Sequence, residues 1–261
     1  METKYIIGID LHGTLLDNDW KIKPNIIDEL KKSLDSVKDF CKIYVCSGND
    51  LTFIQKYIPA EIKQYFDGYI LETGCVISEG IKEEIIIPEN LIMLIKDLRT
   101  RLEERKLNKI KYFARRLITI SMFTKNERGG IDPSIVYPAV KKIVKEMGYE
   151  DKVLVTHSNV AIDIIPKGYN KFTGMKKVSN GLKTIGIADS LNDLPMIQNS
   201  DFAFIPHNVS PKIIKFLKSK TRKIAMIDSN FNPDYNILRS RFESTETVID
   251  SLRFINKNLR L

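Results

Sequence analysis

After a short polar lead the chain runs through Tyr5-Ile6-Ile7-Gly8-Ile9, apolar and largely β-branched, and stops on Asp10 before a Gly-Thr turn. A continuous apolar run of this length fits a strand buried on both faces of a parallel sheet. It presents its last residue at a carboxyl end. Similar runs recur at 42–46, closed by Ser47-Gly48-Asn49, at 68–72, at 183–187, which leads to Asp189, at 202–205 and at 223–227. Between them lie stretches of helical spacing: 24–37 with Pro24 in its first turn, 50–57, 171–178, 191–198, 211–217 and a closing amphipathic 244–258. Strands alternating with helices on this scale predict an α/β fold, a doubly wound and mostly parallel Rossmann-like sheet.

The rhythm changes in the middle. Residues 75–78 and 82–87 flank Glu79-Gly80 as a hairpin, 89–107 is a long charged helix, and 117–123 reads as a strand. A helix opened by Pro133 follows to 147, and 153–157 and 160–164 read as paired strands. This block has the pattern of an α+β domain with antiparallel pairing. The expected organisation is a core from 1–83 and 166–261 with a cap inserted over 84–165.

With 261 residues, 43% of them hydrophobic and 28% charged, the chain has apolar surface enough for a core and an insert, which excludes a disordered or collagenous chain. The net charge of +8 favours anionic partners. Lys and Arg are spread along the chain and interleaved with Glu and Asp at helical spacing, as in 98–109, so a solvated helix face is expected there rather than a nucleic-acid patch. The three cysteines, Cys41, Cys46 and Cys75, are odd in number and lack paired spacing, which argues for packed, reduced thiols and fits a cytoplasmic location. The first apolar run is too short for a secretory signal, and none approaches the ~20 residues of a membrane helix. No membrane partner is expected.

Three of the strands end in residues suited to phosphate chemistry. Ligands of an open parallel sheet sit beyond the carboxyl ends of its strands, where Asp10, Ser47 and Asp189 fall. Asp10 and Asp189 are placed to hold one Mg²⁺, an ion that prefers carboxylate oxygen, while Ser47 and Lys171 supply a neutral and a positive donor to a phosphate.

Asp10-Leu11-His12-Gly13-Thr14 resembles the first motif of the haloacid dehalogenase-like superfamily, D-x-D-G-T. Ser47-Gly48-Asn49 is similar to the second motif and Lys171 to the lysine of the third, with Lys167 as a competitor. Ala188-Asp189-Ser190-Leu191-Asn192-Asp193, followed by Met196, resembles the fourth. The insert between the second and third motifs, and Glu72-Thr73-Gly74 in place of an E-N-G turn, resemble the Cof-like branch of sugar-phosphate and archaeal phosphoglycolate phosphatases.

The resemblance implies that Asp10 attacks phosphorus and carries an aspartyl-phosphate. It implies Mg²⁺ as cofactor, on Asp10, the backbone carbonyl of His12 and Asp189, with Asp193 as a further ligand or as the holder of a water. Ser47, Gly48 and Asn192 would bind phosphoryl oxygens, Thr14 would brace the loop, and Lys171 would neutralise nucleophile and phosphoryl group. Position 12 departs from the family, which places there an Asp that protonates the leaving oxygen. His12 either does that work as imidazole or marks an impaired site, and the alternative to a phosphatase is a phospho-ligand or protein-binding module on the same fold. Of the cap residues, Arg115 and Arg116 suit a substrate carboxylate or second phosphate; Lys125 and Arg128 are weaker candidates. The expected partner is a small phosphorylated metabolite, phosphoglycolate or a sugar phosphate. Nucleic acid is not expected, and an oligomer is compatible with the sequence.

Overall fold

The computed structural model describes residues 2–80, 82–126, 129–158, 160–220, 222–227, 232 and 234–260; Arg128 lies outside them. The first stretch of chain forms β1 (Tyr5–Asp10), α1 (Ile27–Asp35), β2 (Cys41–Cys46), α2 (Leu51–Tyr57), α3 (Ala60–Lys63), β3 (Gly68–Leu71), β4 (Val76–Glu79) and β5 (Lys82–Ile85). The middle forms α4 (Glu89–Glu104), β6 (Tyr112–Phe113), β7 (Ile120–Phe123), β8 (Lys125–Asn126), β9 (Gly129–Gly130), α5 (Tyr137–Glu146), β10 (Val153–His157) and β11 (Ala161–Pro166). The last stretch forms α6 (Lys171–Ser179), β12 (Lys183–Ile187), α7 (Leu194–Asn199), β13 (Phe202–Ile205), α8 (Pro211–Ser219), β14 (Ile224–Met226), β15 (Ile237–Arg239) and α9 (Ser244–Asn258). Two compact units result, one from 1–83 with 170–261 and one from 84–169.

The first unit is built on a nine-stranded sheet in the order β14-β15-β13-β12-β1-β2-β3-β4-β5. β1 pairs in parallel with β2 on one side and with β12 on the other, whereas β4 runs antiparallel to β3. All six residues of β1 are buried, which is why its sequence is a continuous apolar run rather than an alternating one. Side chains alternate across the sheet: Ala203 and Ile205 join the cluster of Met175, Met196, Ile213 and Leu217 from α6, α7 and α8, while Phe204 meets Phe254 of α9. The chain winds from β1 to β2 and β3 in one direction and returns to β12 on the opposite side of β1. That reversal opens a crevice beyond the carboxyl ends of β1 and β12, the usual place for a ligand in such a sheet.

The second unit is a four-stranded antiparallel sheet, β10-β11-β7-β6, against α4 and α5. Ile120, Met122, Ile162 and Ile164 on one sheet face pack with Leu98 and Leu102 of α4 and Val140 and Val144 of α5, each such side chain contributing about 1.5–3 kcal/mol. On its exposed face α4 carries the i,i+4 pairs Arg99–Glu103 and Arg101–Asp97, at 2.9 and 3.1 Å.

Several sequence expectations shift. The helix expected over 133–147 is a 3₁₀ turn, Pro133–Ile135, followed by α5, because Pro138 restarts the helix in its own first turn. The strand expected over 117–123 begins only at Ile120, and β6 and β15 were not expected. β15 is three residues long and is stabilised by insertion between β13 and β14, a pairing that leaves no local periodicity. The three cysteines are free and buried. Among the described residues no helix is long and apolar enough to cross a membrane.

Candidate active site at the strand ends

Asp10 closes β1 and points into the crevice, buried. Asp189 follows β12 and is half-buried. Asp193 ends the 3₁₀ turn Leu191–Asp193 and is buried, held by a hydrogen bond that the Ser190 hydroxyl donates to its Oδ2 at 2.5 Å. Each of the three offers a carboxylate oxygen within 4.8 Å of the others. Into this group reaches the buried ammonium of Lys171, donating to Asp10 Oδ1 and lying 2.5 Å from Asp193 Oδ1.

Lys171 gets there because α6 starts on it. Asn170 caps the helix: its Oδ1 accepts from the Thr173 amide at 3.1 Å, and Thr173 Oγ1 accepts in return from the Asn170 amide at 3.0 Å. This capping box is legible in the sequence as Asn-x-x-Thr, and it separates the two candidate lysines. Lys167 belongs to the other unit, half exposed, with Asp151 at 4.0 Å.

Among the described residues, three carboxylates meet the ammonium of Lys171. Burial and then repulsion from Asp193 push the Asp10 carboxyl up, against the opposing pull of Lys171. Burial and Asp193 raise Asp189 in the same way. Burial alone would lower Lys171, but Asp10 and Asp193 override it and raise it. A buried, all-oxygen donor set with surplus negative charge suits a hard divalent cation such as Mg²⁺. The loop leaves room for close approach: Gly13, at φ 77°, passes so near Asp189 that a Cβ there would sit 2.4 Å from Oδ2. Thr14, buried, donates to Asp189 Oδ1 at 3.4 Å.

Ser47 follows β2, whose Cys46 pairs with Asp10, so its loop adjoins the crevice. Its buried hydroxyl accepts from the Asn49 amide at 3.0 Å, and Gly48 is exposed. The amide of Thr73 donates to the Ser47 carbonyl at 3.0 Å and that of Glu72 to the Asn49 carbonyl at 3.1 Å. On its other side the 72–74 turn presses on α6, since a Cβ on Gly74 would fall 2.1 Å from the Asn170 carbonyl oxygen. The turn thus braces the Ser47 loop against the start of α6. Glu72 and Thr73 adopt φ of 47° and 59° to do so, and for a β-branched threonine that conformation is strained by about 1–2 kcal/mol. Thr73→Asn should therefore raise the melting temperature by about 2–4 °C for each kcal/mol relieved. A lower melting temperature would mean that the threonine side chain contributes more than its backbone costs.

His12 is half-buried and packs in a group of rings absent from the sequence expectations. Its ring centroid lies 5.8 Å from Trp20 and 5.0 Å from Phe53. Trp20 is 5.5 Å from Phe53 and 5.2 Å from Tyr57. Burial, followed by the charge of Lys171, lowers the His12 imidazole to about 4. The one hint in the sequence was the sole tryptophan, just past the first motif.

Asn192 is exposed on the turn between Asp189 and Asp193. Arg115 and Arg116 lie in the second unit between β6 and β7, Arg115 exposed and Arg116 half-buried, with Arg116 Nη1 donating to the Arg115 carbonyl at 3.2 Å.

Fold and site together define a doubly wound α/β protein with an acidic, lysine-bearing centre at its topological switch point. The sequence matches the haloacid dehalogenase-like hydrolases over residues 7–147 and 137–229, and the chain belongs to that family. A comparison with curated proteins finds no match. Among solved structures the chain is similar to a protein of Eubacterium rectale, with 17% identity, TM-score 0.66 and coverage of 96% of this chain and 98% of that one. The sucrose-phosphatase of Synechocystis sp. PCC6803, solved with sucrose and phosphate, follows at 15% identity and TM-score 0.63, covering 97% and 98%. The trehalose-6-phosphate phosphatase of Aspergillus fumigatus gives 14% identity and TM-score 0.55, covering 98% and 93%. At these identities the likeness is one of fold.

Proposed function

We propose that this chain is a Mg²⁺-dependent phosphatase acting on a small sugar phosphate through an aspartyl-phosphate on Asp10. The observation that carries the reading is the buried contact of Lys171 with Asp10 and Asp193, with Asp189 beside them, at the carboxyl ends of parallel strands. A carboxylate this deep needs a chemical reason to be there. The sucrose-phosphatase and trehalose-6-phosphate phosphatase folds support a sugar ester over phosphoglycolate.

In this reading Asp10 attacks phosphorus, the bond from phosphorus to the leaving oxygen breaks, and water then hydrolyses the acyl phosphate. Lys171 holds the nucleophile and offsets charge on the phosphoryl oxygens. Ser47 and the backbone of its loop, with Asn192, accept the phosphoryl group. Asp10, Asp189 and Asp193 would hold Mg²⁺, which supplies positive charge against the phosphate. Arg115 and Arg116 are proposed to meet the rest of the substrate. Hydrolysis of an aryl phosphate should require Mg²⁺ and vanish in Asp189→Asn. Equal rates with and without a chelator would remove the metal from the reaction.

One observation favours a variant reading, the packing of His12 among rings. A wall residue at position 12 leaves the leaving oxygen without its usual proton donor, so alkyl esters would turn over slowly. His12→Asp should then accelerate an alkyl phosphate by about 10²-fold, and an aryl phosphate less. A slower His12→Asp would instead establish the imidazole as a working acid or base.

A further inference from the structure

We propose that Trp20, backed by His12, Phe53 and Tyr57, forms an aromatic ledge on which the ring of a sugar leaving group stacks. The inference rests on the phosphatase reading above and names the feature of the substrate that the first unit itself recognises.

Four rings from three segments meet here, with Phe53 and Tyr57 centroids 4.4 Å apart and Trp20 set edge-on to Tyr57 at 85°. The series starts at His12, two residues after Asp10 and next to Gly13, whose backbone passes against Asp189. It ends at Trp20, which is 45% exposed while its three partners are each partly covered. A tryptophan serving only to pack would be expected to turn its large face inward.

The backbone makes the same point. Trp20 has φ of 62°, a left-handed conformation that a bulky side chain rarely adopts. The turn enforces it: Asp17 Oδ1 accepts from the amides of Asp19 and Lys21 at 2.9 and 3.0 Å, and the Asp17 carbonyl accepts from the Trp20 amide at 3.1 Å. A glycine would sit in this turn without strain. Strain retained at an exposed aromatic residue beside a reactive centre points to a ligand contact. Sugar rings carry an apolar C–H face and a polar edge, and the ledge offers both kinds of partner. The indole provides the face. Exposed Asn18 and Asp19 in the same turn, and Lys56 with its ammonium 4.9 Å over the Tyr57 ring, provide the edge. A two-carbon leaving group such as glycolate has no ring to lay on it.

Because Trp20 is the sole tryptophan, indole emission, excited on the red edge where tyrosine does not absorb, reports on this position alone. The full-length Asp10→Asn chain, with Mg²⁺, would be titrated with glucose 6-phosphate, trehalose 6-phosphate, phosphoglycolate and inorganic phosphate. A saturable blue shift or quench is expected with at least one sugar phosphate and not with the two ringless ligands. The same response to all four, or to none, would overturn the ledge. In parallel, Trp20→Gly, which relieves the backbone, should lower the ratio of kcat/KM for the sugar phosphate over phosphoglycolate by about tenfold, chiefly through KM. Trp20→Phe should restore most of that ratio. A ratio unmoved in Trp20→Gly would overturn the proposal. If the wild-type chain hydrolyses no ester, the phosphatase reading fails, while the emission titration still decides the ledge.

Discussion

Lys171→Ala should destabilise the chelator-treated protein by about 3–5 kcal/mol, the range found when one partner of a buried ion pair is removed. The reason is the imbalance at the strand ends. Three carboxylates converge within 4.8 Å, two of them buried, and among the described residues the ammonium that meets them is that of Lys171. Without it, Asp10 and Asp193 keep their burial and lose their counter-charge. Urea unfolding with chelator, and again with excess Mg²⁺, measures the effect, and Mg²⁺ should recover part of the loss by binding the folded state. Lys171→Met combined with Asp193→Leu should be less destabilised than Lys171→Met alone, since charges on both sides of the pair are then gone. A Lys171→Ala protein as stable as wild type would mean that the ammonium contributes nothing to holding the carboxylates together.

The second large effect is on turnover. Asp10→Asn should reduce hydrolysis by roughly 10⁴–10⁶-fold, as removal of a covalent nucleophile does elsewhere, while leaving the far-UV circular dichroism unchanged. Asparagine is nearly isosteric with aspartate and can still accept from Lys171. Beryllofluoride, which mimics a carboxyl-bound phosphoryl group, should bind the wild-type chain with Mg²⁺ and fail to bind Asp10→Asn. Hydrolysis by Asp10→Asn near the wild-type rate would place the nucleophile elsewhere.

The parts of this molecule that local pattern controls were legible before any coordinates. β1 is buried throughout and β12 from its second residue on, so each reads as a buried strand, and the polarity returns at Asp10 and Asp189. The parallel sheet followed from the alternation with helices. Where tertiary contacts decide, the sequence was silent. β15 is a strand only because β13 and β14 flank it. Phe53 and Tyr57 share the i,i+4 spacing of α2, but the rings at 12 and 20 lie on other segments and share no spacing with them, and the left-handed Trp20 follows from hydrogen bonds to Asp17 rather than from a glycine in the sequence. The choice between Lys167 and Lys171 was left open by the sequence; the structure brings Lys171, at the start of α6, against Asp10 and Asp193, and Lys167 near Asp151.

The pairing of β1 with β12 joins Tyr5 to Lys183 and Ile9 to Ile187, partners between which the whole of the second unit is inserted. On the ribosome, then, β1 must wait for a partner strand made much later. β1 emerges with β2 available as a partner on one side only, β3 pairing beyond it with β2, and its other edge stays bare until residues 183–187 have left the exit tunnel. The second unit, contiguous in sequence, has all its own strands by residue 166 and is free to form first. Loop closure over such a separation is slow, and a bare apolar edge is a template for pairing with other chains. The centre around Asp10 consequently cannot form before α6, β12 and the turn at Asp193 have been made, and a nascent chain halted before Lys183 carries β1 with one apolar edge unprotected.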